Sequence, residues 1–187
     1  MKKVSEVVTD GHIFKDSVLD QNLYKADIAA IAESAIQRHG EQEWRAVLLA
    51  TEMHGHLGIY SILGAKMGVR ACELLETNSR INTLSYAGKI PPLSCLNDGL
   101  QAGCGSTLGR GLIEVDSRHP RVEARFRHGH HSLRLRLLPQ YQFLIKHDME
   151  RCTALYPRTT PKYWQQVRHL ALGYWLDLSR LDIFEMD

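Results

Sequence analysis

The 187-residue sequence predicts an α+β fold: helices packed on a largely antiparallel β-sheet, in one compact domain with a C-terminal helical extension. Three observations predict it. Apolar residues recur at helical spacing in the first and last thirds of the chain. Between them, residues 122–137 alternate apolar and basic across a short loop with a glycine, as a β-hairpin does. The composition, 44% hydrophobic and 24% charged, suits a chain that buries an ordinary core. We place the core domain at residues 1–156. Residues 157–187 form a final helix that lies at a dimer interface or covers the functional pocket.

Taken in order, the first twenty residues read as irregular. Asp10-Gly11 is a turn signal, and Val7, Val8, Ile13 and Phe14 suit a short extended arm. A helix starts near Asn22, with Ile28, Ile31, Ala32, Ala35 and Ile36 at helical spacing and Gly40 as its stop. Trp44, Val47, Leu48 and Thr51 mark a second helix, whose last turn is expected to hold Glu52 near His54. A third runs from about Gly58 to Leu75 and carries apolar stripes on two sides, as a central buried helix does. In it, Gly64 and Gly68 leave a flat strip where another backbone can approach.

Residues 81–87 alternate like a strand, ended by Gly88 and the Pro91-Pro92 pair. Ser94 is placed to cap a short helix through Cys95, Asp98 and Gln101, broken by Gly103 and Gly105. A strand follows at residues 112–115. In the hairpin, setting Phe126 opposite Leu133 puts Arg125 opposite Arg134 and Glu123 opposite Arg136. One face then feeds the core and the other is strongly basic. Pro139 opens a helix that Pro157 stops. Thr160-Pro161 caps and opens the last, with Trp164, Val167, Ala171, Tyr174 and Leu178 as its stripe.

A formal net charge of +2 gives no general pull toward nucleic acid or membranes. No apolar run is long enough to span a bilayer, and the first residues lead into no apolar signal core, so a cytoplasmic protein is expected. The four cysteines, Cys72, Cys95, Cys104 and Cys152, form no C-x-x-C pair. That argues against a zinc ribbon and a thioredoxin-type redox pair.

The chemistry is expected at His54-Gly55-His56. Two imidazoles two apart in an extended segment project to one side, and neutral imidazole binds zinc, nickel, copper and iron. The plain alternative is two histidines hydrogen-bonding near a helix start. Cys95 is the best third metal ligand, at a helix start whose positive end favours thiolate; a buried cysteine is its plain alternative. Asp98, one turn on, can bind metal, orient a histidine or fill the first helical turn. Glu52 and Asp98 are the candidate catalytic carboxylates, as proton acceptors or partners to a histidine. Cys104 sits in a glycine-rich turn that lacks the phosphate-binding glycine patterns. His128, His130 and His131 form a weaker metal candidate on the hairpin loop. Six arginines and one acid, Glu123, lie between Arg118 and Arg136. A solvated or subunit-contact face suits them better than nucleic acid, since interleaved exposed aromatics are missing.

Together these blocks resemble the formylmethanofuran dehydrogenase E-subunit family. Met53-His54-Gly55-His56-Leu57, Gly64 and Gly68-Val69-Arg70-Ala71 resemble its H-G-H-x-C-P-G…G-x-R-A block. Cys95-Leu96-Asn97-Asp98-Gly99-Leu100-Gln101 resembles its C-x-x-D-A-x-Q segment. Thr107-Leu108-Gly109-Arg110-Gly111 resembles its T-x-G-K-G segment. The resemblance implies an α+β core with a metal-binding pocket, commonly dimeric, and carries over His54, His56 and Cys95 with Asp98 beside them. Two cysteines depart: the family's first is Gly58 here, and its second aligns with Ser106, two residues from Cys104. The expectation is therefore a metal-binding protein with a His54/His56/Cys95 site, zinc first and nickel or iron next, taking a small-molecule ligand and pairing as a homodimer. Alternatives are a non-catalytic accessory subunit of an oxidoreductase complex and a nucleic-acid-binding module using the hairpin.

Overall fold

The computed structural model describes residues 21–77 and 80–187. The expected arm through Val7, Val8, Ile13 and Phe14 lies outside them. Helices α1 (Ala26–His39) and α2 (Glu41–His54) meet at Gly40, the predicted stop. Helix α3 (Ile59–Leu74) is buried along most of its length, from Ile59 to Val69, as its two apolar stripes require. Strand β1 (Asn82–Ser85), helix α4 (Leu96–Cys104) and strand β2 (Ile113–Val115) follow, then the hairpin strands β3 (Glu123–His128) and β4 (His131–Leu137). Helices α5 (Pro139–Leu155) and α6 (Pro161–Asp177) and a short strand β5 (Phe184–Met186) complete the chain.

The strands form one sheet in the order β2-β1-β3-β4-β5. Strand β1 runs parallel to β2, while the other three pairings are antiparallel. Alternation sets the hairpin register: Phe126 faces Leu133, Arg125 faces Arg134 and Glu123 faces Arg136. A one-residue slip would turn Ala124, Phe126, Leu133, Leu135 and Leu137, all buried, out to solvent.

The outer face differs from expectation. Strand β5 brings Glu185 to Arg136 at 2.7 Å and places Asp187 on the Arg134 guanidinium. Glu123, 1% exposed, takes Arg121 at 2.7 Å and has Arg134 and Arg136 within 4 Å. Arg118 pairs with Asp116 at 2.5 Å. Four of the six arginines thus have carboxylate partners, and the strongly basic face is largely neutralised.

The contact between α3 and α4 positions the site. The strip at Gly64 and Gly68 is met by a matching pair on α4, Gly99 and Gly103. A Cβ built on Gly64 would lie 2.2 Å from the Leu96 carbonyl oxygen, and one on Gly99 would lie 2.0 Å from that of Ser61. The two backbones therefore touch, which is why four glycines are accepted despite a cost of roughly 1 kcal/mol each in helix propensity.

The last helix is integral to the packing. Thr160 caps it, accepting a hydrogen bond from the Tyr163 N–H at 3.3 Å. Helix α6 packs on α1, α3 and α5. Trp175 stacks on Trp44 with ring centroids 4.5 Å apart, and Arg168 pairs with Asp27. Past α6, Arg180 reaches the Glu43 and Glu73 carboxylates at 3.1 and 2.5 Å. Glu43 also holds Lys66 at 2.5 Å, both fully buried. Burial pushes the Lys66 ammonium below its ordinary pKa, and Glu43 works in the opposite direction.

Candidate metal and ligand cleft

His54 is the last residue of α2. Gly55 follows with φ 83°, a left-handed conformation that suits glycine, and its N–H closes the helix on the Thr51 carbonyl. This reversal brings the two rings together, with centroids 4.3 Å apart. They meet through a helix C-cap and not through the expected extended segment. The same geometry separates Glu52 from His54, because two helical residues differ by roughly 200° around the axis. Glu52 is exposed and lines a neighbouring groove with Thr51, His56 and Arg168.

His54 and Asp98 are brought together. The Nδ1 of His54 lies 2.7 Å from Asp98 Oδ2. A carboxylate only accepts, so Nδ1 carries the proton and donates it. In the neutral imidazole the other ring nitrogen, Nε2, is then a bare lone pair. It is buried and has no hydrogen-bond partner among the described residues. His56 sits edge-on to Trp164, with centroids 5.2 Å apart. Partial burial, then the neighbouring His54, holds the His56 imidazole below its usual pKa, which favours the neutral form.

Cys95 is half-buried at the N-cap of α4, entered through a tight turn at Leu93–Cys95. Ser94 makes no capping hydrogen bond. Burial pushes the Cys95 thiol up and Asp98 adds to this, so the helix start does not hold a free thiolate there. His54, His56 and Cys95 line one cleft of about 400 Å³. Gly58, Tyr60, Pro91, Pro92, Met149, Arg158, Tyr163 and Trp164 also line it. Among the described residues no three of His, Cys, Asp and Glu are already gathered as a cation cage. The donor chemistry still fits a metal: two imidazoles, one of them with a buried Nε2 unpartnered among the described residues, and a thiol line one cleft.

Other motif residues prove to be scaffold. Asn97 donates to the Gly88 carbonyl at 2.9 Å, tying the loop that carries Pro91 and Pro92 to α4. The Gln101 side-chain oxygen accepts from the Leu108 N–H at 3.0 Å. Cys104 and Ser106 are both buried and 3.1 Å apart, with Ser106 bonded to Thr83 and the Ile81 carbonyl. They bind α4 to the start of the sheet and do not line the cleft. Gly58 does line it. A Cβ there would sit 3.2 Å from Ser61 Oγ and 3.4 Å from His56 Nε2, so a side chain at 58 would enter the site. Sequence reasoning missed Tyr60, Met149, Arg158 and Tyr163. The adjacent Tyr163-Trp164 pair was the available signal.

The fold and site define a small α+β protein whose glycine-locked helix pair positions a histidine-lined, largely apolar cleft. The family model FmdE, described as molybdenum formylmethanofuran dehydrogenase operon, matches residues 53–169, and the chain belongs to that family. The match extends beyond the three motif blocks, through the hairpin and α5 into α6, and includes every cleft residue named above. No curated protein gives a significant match. Among the described residues no helix is long and apolar enough to cross a membrane.

Proposed function

We propose that this chain binds a transition metal at the inner end of the cleft and a small-molecule ligand beside it. His54, through Nε2, His56 and Cys95 would hold the metal, with zinc the first choice for two imidazoles and a thiolate and nickel or iron next. One observation carries the reading: His54 Nε2 is buried, unpartnered and oriented by the Asp98 bond on the opposite nitrogen. A carboxylate behind a ligating histidine fixes its tautomer and raises its basicity. A bound cation would also supply the positive charge that the Cys95 thiol needs in order to ionise.

Such a metal, when bound with an open position, polarises a carbonyl or lowers the pKa of a bound water. The chain's own contribution is positional. Asp98 holds the His54 ring and Trp164 packs against His56. Of the two candidate carboxylates, this reading keeps Asp98, as the acceptor for the His54 Nδ1 proton.

The test is elemental analysis of protein purified without an affinity tag. Stoichiometric zinc is expected, with loss in a His54→Ala/Cys95→Ala variant and a 10- to 100-fold weaker affinity in Asp98→Ala, roughly what loss of such a carboxylate costs. Wild-type protein without metal, or a double variant that keeps it, overturns the site.

The family's tie to an enzyme operon supports a second reading, an accessory subunit that binds metal or ligand for a partner oxidoreductase. Absence of turnover on a panel of amides, esters and formyl compounds by the zinc-loaded chain favours it. A homodimer belongs to the proposal too. Exposed apolar surface on α5, Phe143 at 72% and Leu155 at 64%, supports it. Sedimentation of wild type beside Phe143→Glu tests it, and a wild-type monomer refutes it.

A further inference from the structure

We propose that the outer part of the cleft recognises a small organic monoanion, an apolar, flat body ending in one carboxylate that Arg158 clasps. This rests on the reading above for the inner end and names the class of ligand that lies beside it. The volume of about 400 Å³ falls within the roughly 300–1,000 Å³ of pockets for small molecules. The rest of the lining is mostly apolar and aromatic, with Tyr60, Pro92, Met149, Tyr163 and Val167 beside Trp164, and among the described residues no carboxylate lines the cleft.

Among the described residues Arg158 is the one permanently charged side chain lining it. It also lines an adjoining extension that shares Tyr60, Pro92 and Met149 with the cleft. The other cation of that extension, Lys146, already faces Glu150 at 3.9 Å. Arg38, Arg70, Arg168 and Arg180 each have a carboxylate partner. Arg158 makes no ion pair or hydrogen bond among the described residues. One uncompensated guanidinium at the mouth of an apolar slot calls for one negative charge. Its planar fork matches a carboxylate through two parallel hydrogen bonds, while the aromatic wall takes a flat body.

Three probes share one body and differ in charge: 4-phenylbutyrate, 4-phenylbutanol and 4-phenylbutylamine. Titration calorimetry is run on the full chain, zinc-loaded and metal-free. The acid is expected to bind about tenfold tighter than the alcohol, the contribution of one solvent-touched charge-assisted pair, with the amine weakest. Arg158→Gln brings the acid to the level of the alcohol and leaves the alcohol unchanged, and Arg158→Lys keeps part of the preference. Matching thermal melts of the variants show that folding is intact.

The proposal is overturned if no probe binds, if the acid has no advantage, or if its advantage survives Arg158→Gln. An advantage that needs zinc and ignores Arg158 also overturns it, since the metal then holds the carboxylate. If zinc does not bind and the Arg158-dependent preference persists, the metal reading fails and this one stands. If zinc binds and the preference is absent, the reverse holds.

Discussion

Gly99→Ala places a methyl where the α3 backbone already lies. The new Cβ would sit 2.0 Å from the Ser61 carbonyl oxygen and 2.5 Å from the Ala65 nitrogen, against 3.4 Å for ordinary contact. Both neighbours are backbone atoms, so no side chain can swing away, and α4 must retreat by about 1.4 Å. Overpacking of this kind costs about 1–3 kcal/mol, and alanine recovers about 1 kcal/mol of helix propensity. With backbone on both sides the upper end applies, and we expect a net loss of about 2 kcal/mol, or a Tm about 4–8 °C lower for a chain of this size. Because α4 carries Cys95 and Asp98, the same shift pulls them from His54 and weakens zinc binding. Gly173→Ala is the control. It lies within α6 with nothing within 4 Å of its Cβ, and should raise stability by about 0.5–1 kcal/mol. Thermal melts with zinc titration check both. A Gly99→Ala protein as stable as wild type with unchanged zinc affinity would refute the close-contact reasoning.

Gly58→Cys is expected to fold normally, because its φ of −113° suits any residue, and to bind zinc at least tenfold tighter by adding a thiolate beside both histidines. Competition with a chromophoric chelator reads this, and unchanged affinity would mean that position 58 does not face the metal. Lys66→Met strips a buried partner from Glu43 and should cost about 3 kcal/mol in urea unfolding, the low end of the usual range because Arg180 remains. A loss under 1 kcal/mol would show that Lys66 is dispensable. Acidification should destabilise the chain from about pH 6.5 downward. Burial lowers the His39 pKa, so the unfolded chain takes a proton that the folded one refuses, with a slope of at most about 1.4 kcal/mol per pH unit. His39→Gln should flatten that slope in pH-dependent melts, and an unchanged slope would assign it elsewhere.

The hairpin was legible because period-2 alternation admits one register that buries Phe126 and Leu133 together. The buried character of α3 was legible from two stripes. That Gly64 and Gly68 await a backbone was readable too, but the partner was not, since Gly99 and Gly103 are four apart in a helix too short to announce a face. The sequence left Asp98 open as metal ligand, histidine partner or first-turn residue, and only the fold sets it on His54 Nδ1, whereas the placement of Glu52 turned on where α2 ends. A helix reaching His54 sends Glu52 elsewhere, and no local signal fixed that boundary. Strand β5 was invisible because three residues carry no period and their ladder partner lies about fifty residues away. With it went the neutralisation of the arginine face. Arg158 was missed because isolated arginines are usually solvated. Its meaning comes from an apolar slot assembled from four separate stretches of chain.

The backbone contact between α3 and α4 also divides evolutionary freedom within the molecule. Substitutions at Gly64, Gly68, Gly99 and Gly103 are closed off, so the end of the cleft carrying His54 and Cys95, with Asp98 bonded to the His54 ring, can drift little among descendants. The opposite wall is supplied by Met149, Arg158 and Trp164, side chains on or near outer helices that change without moving any backbone. One end can thus be inherited unchanged while the other is retuned, and divergence between relatives should concentrate on what the outer wall recognises.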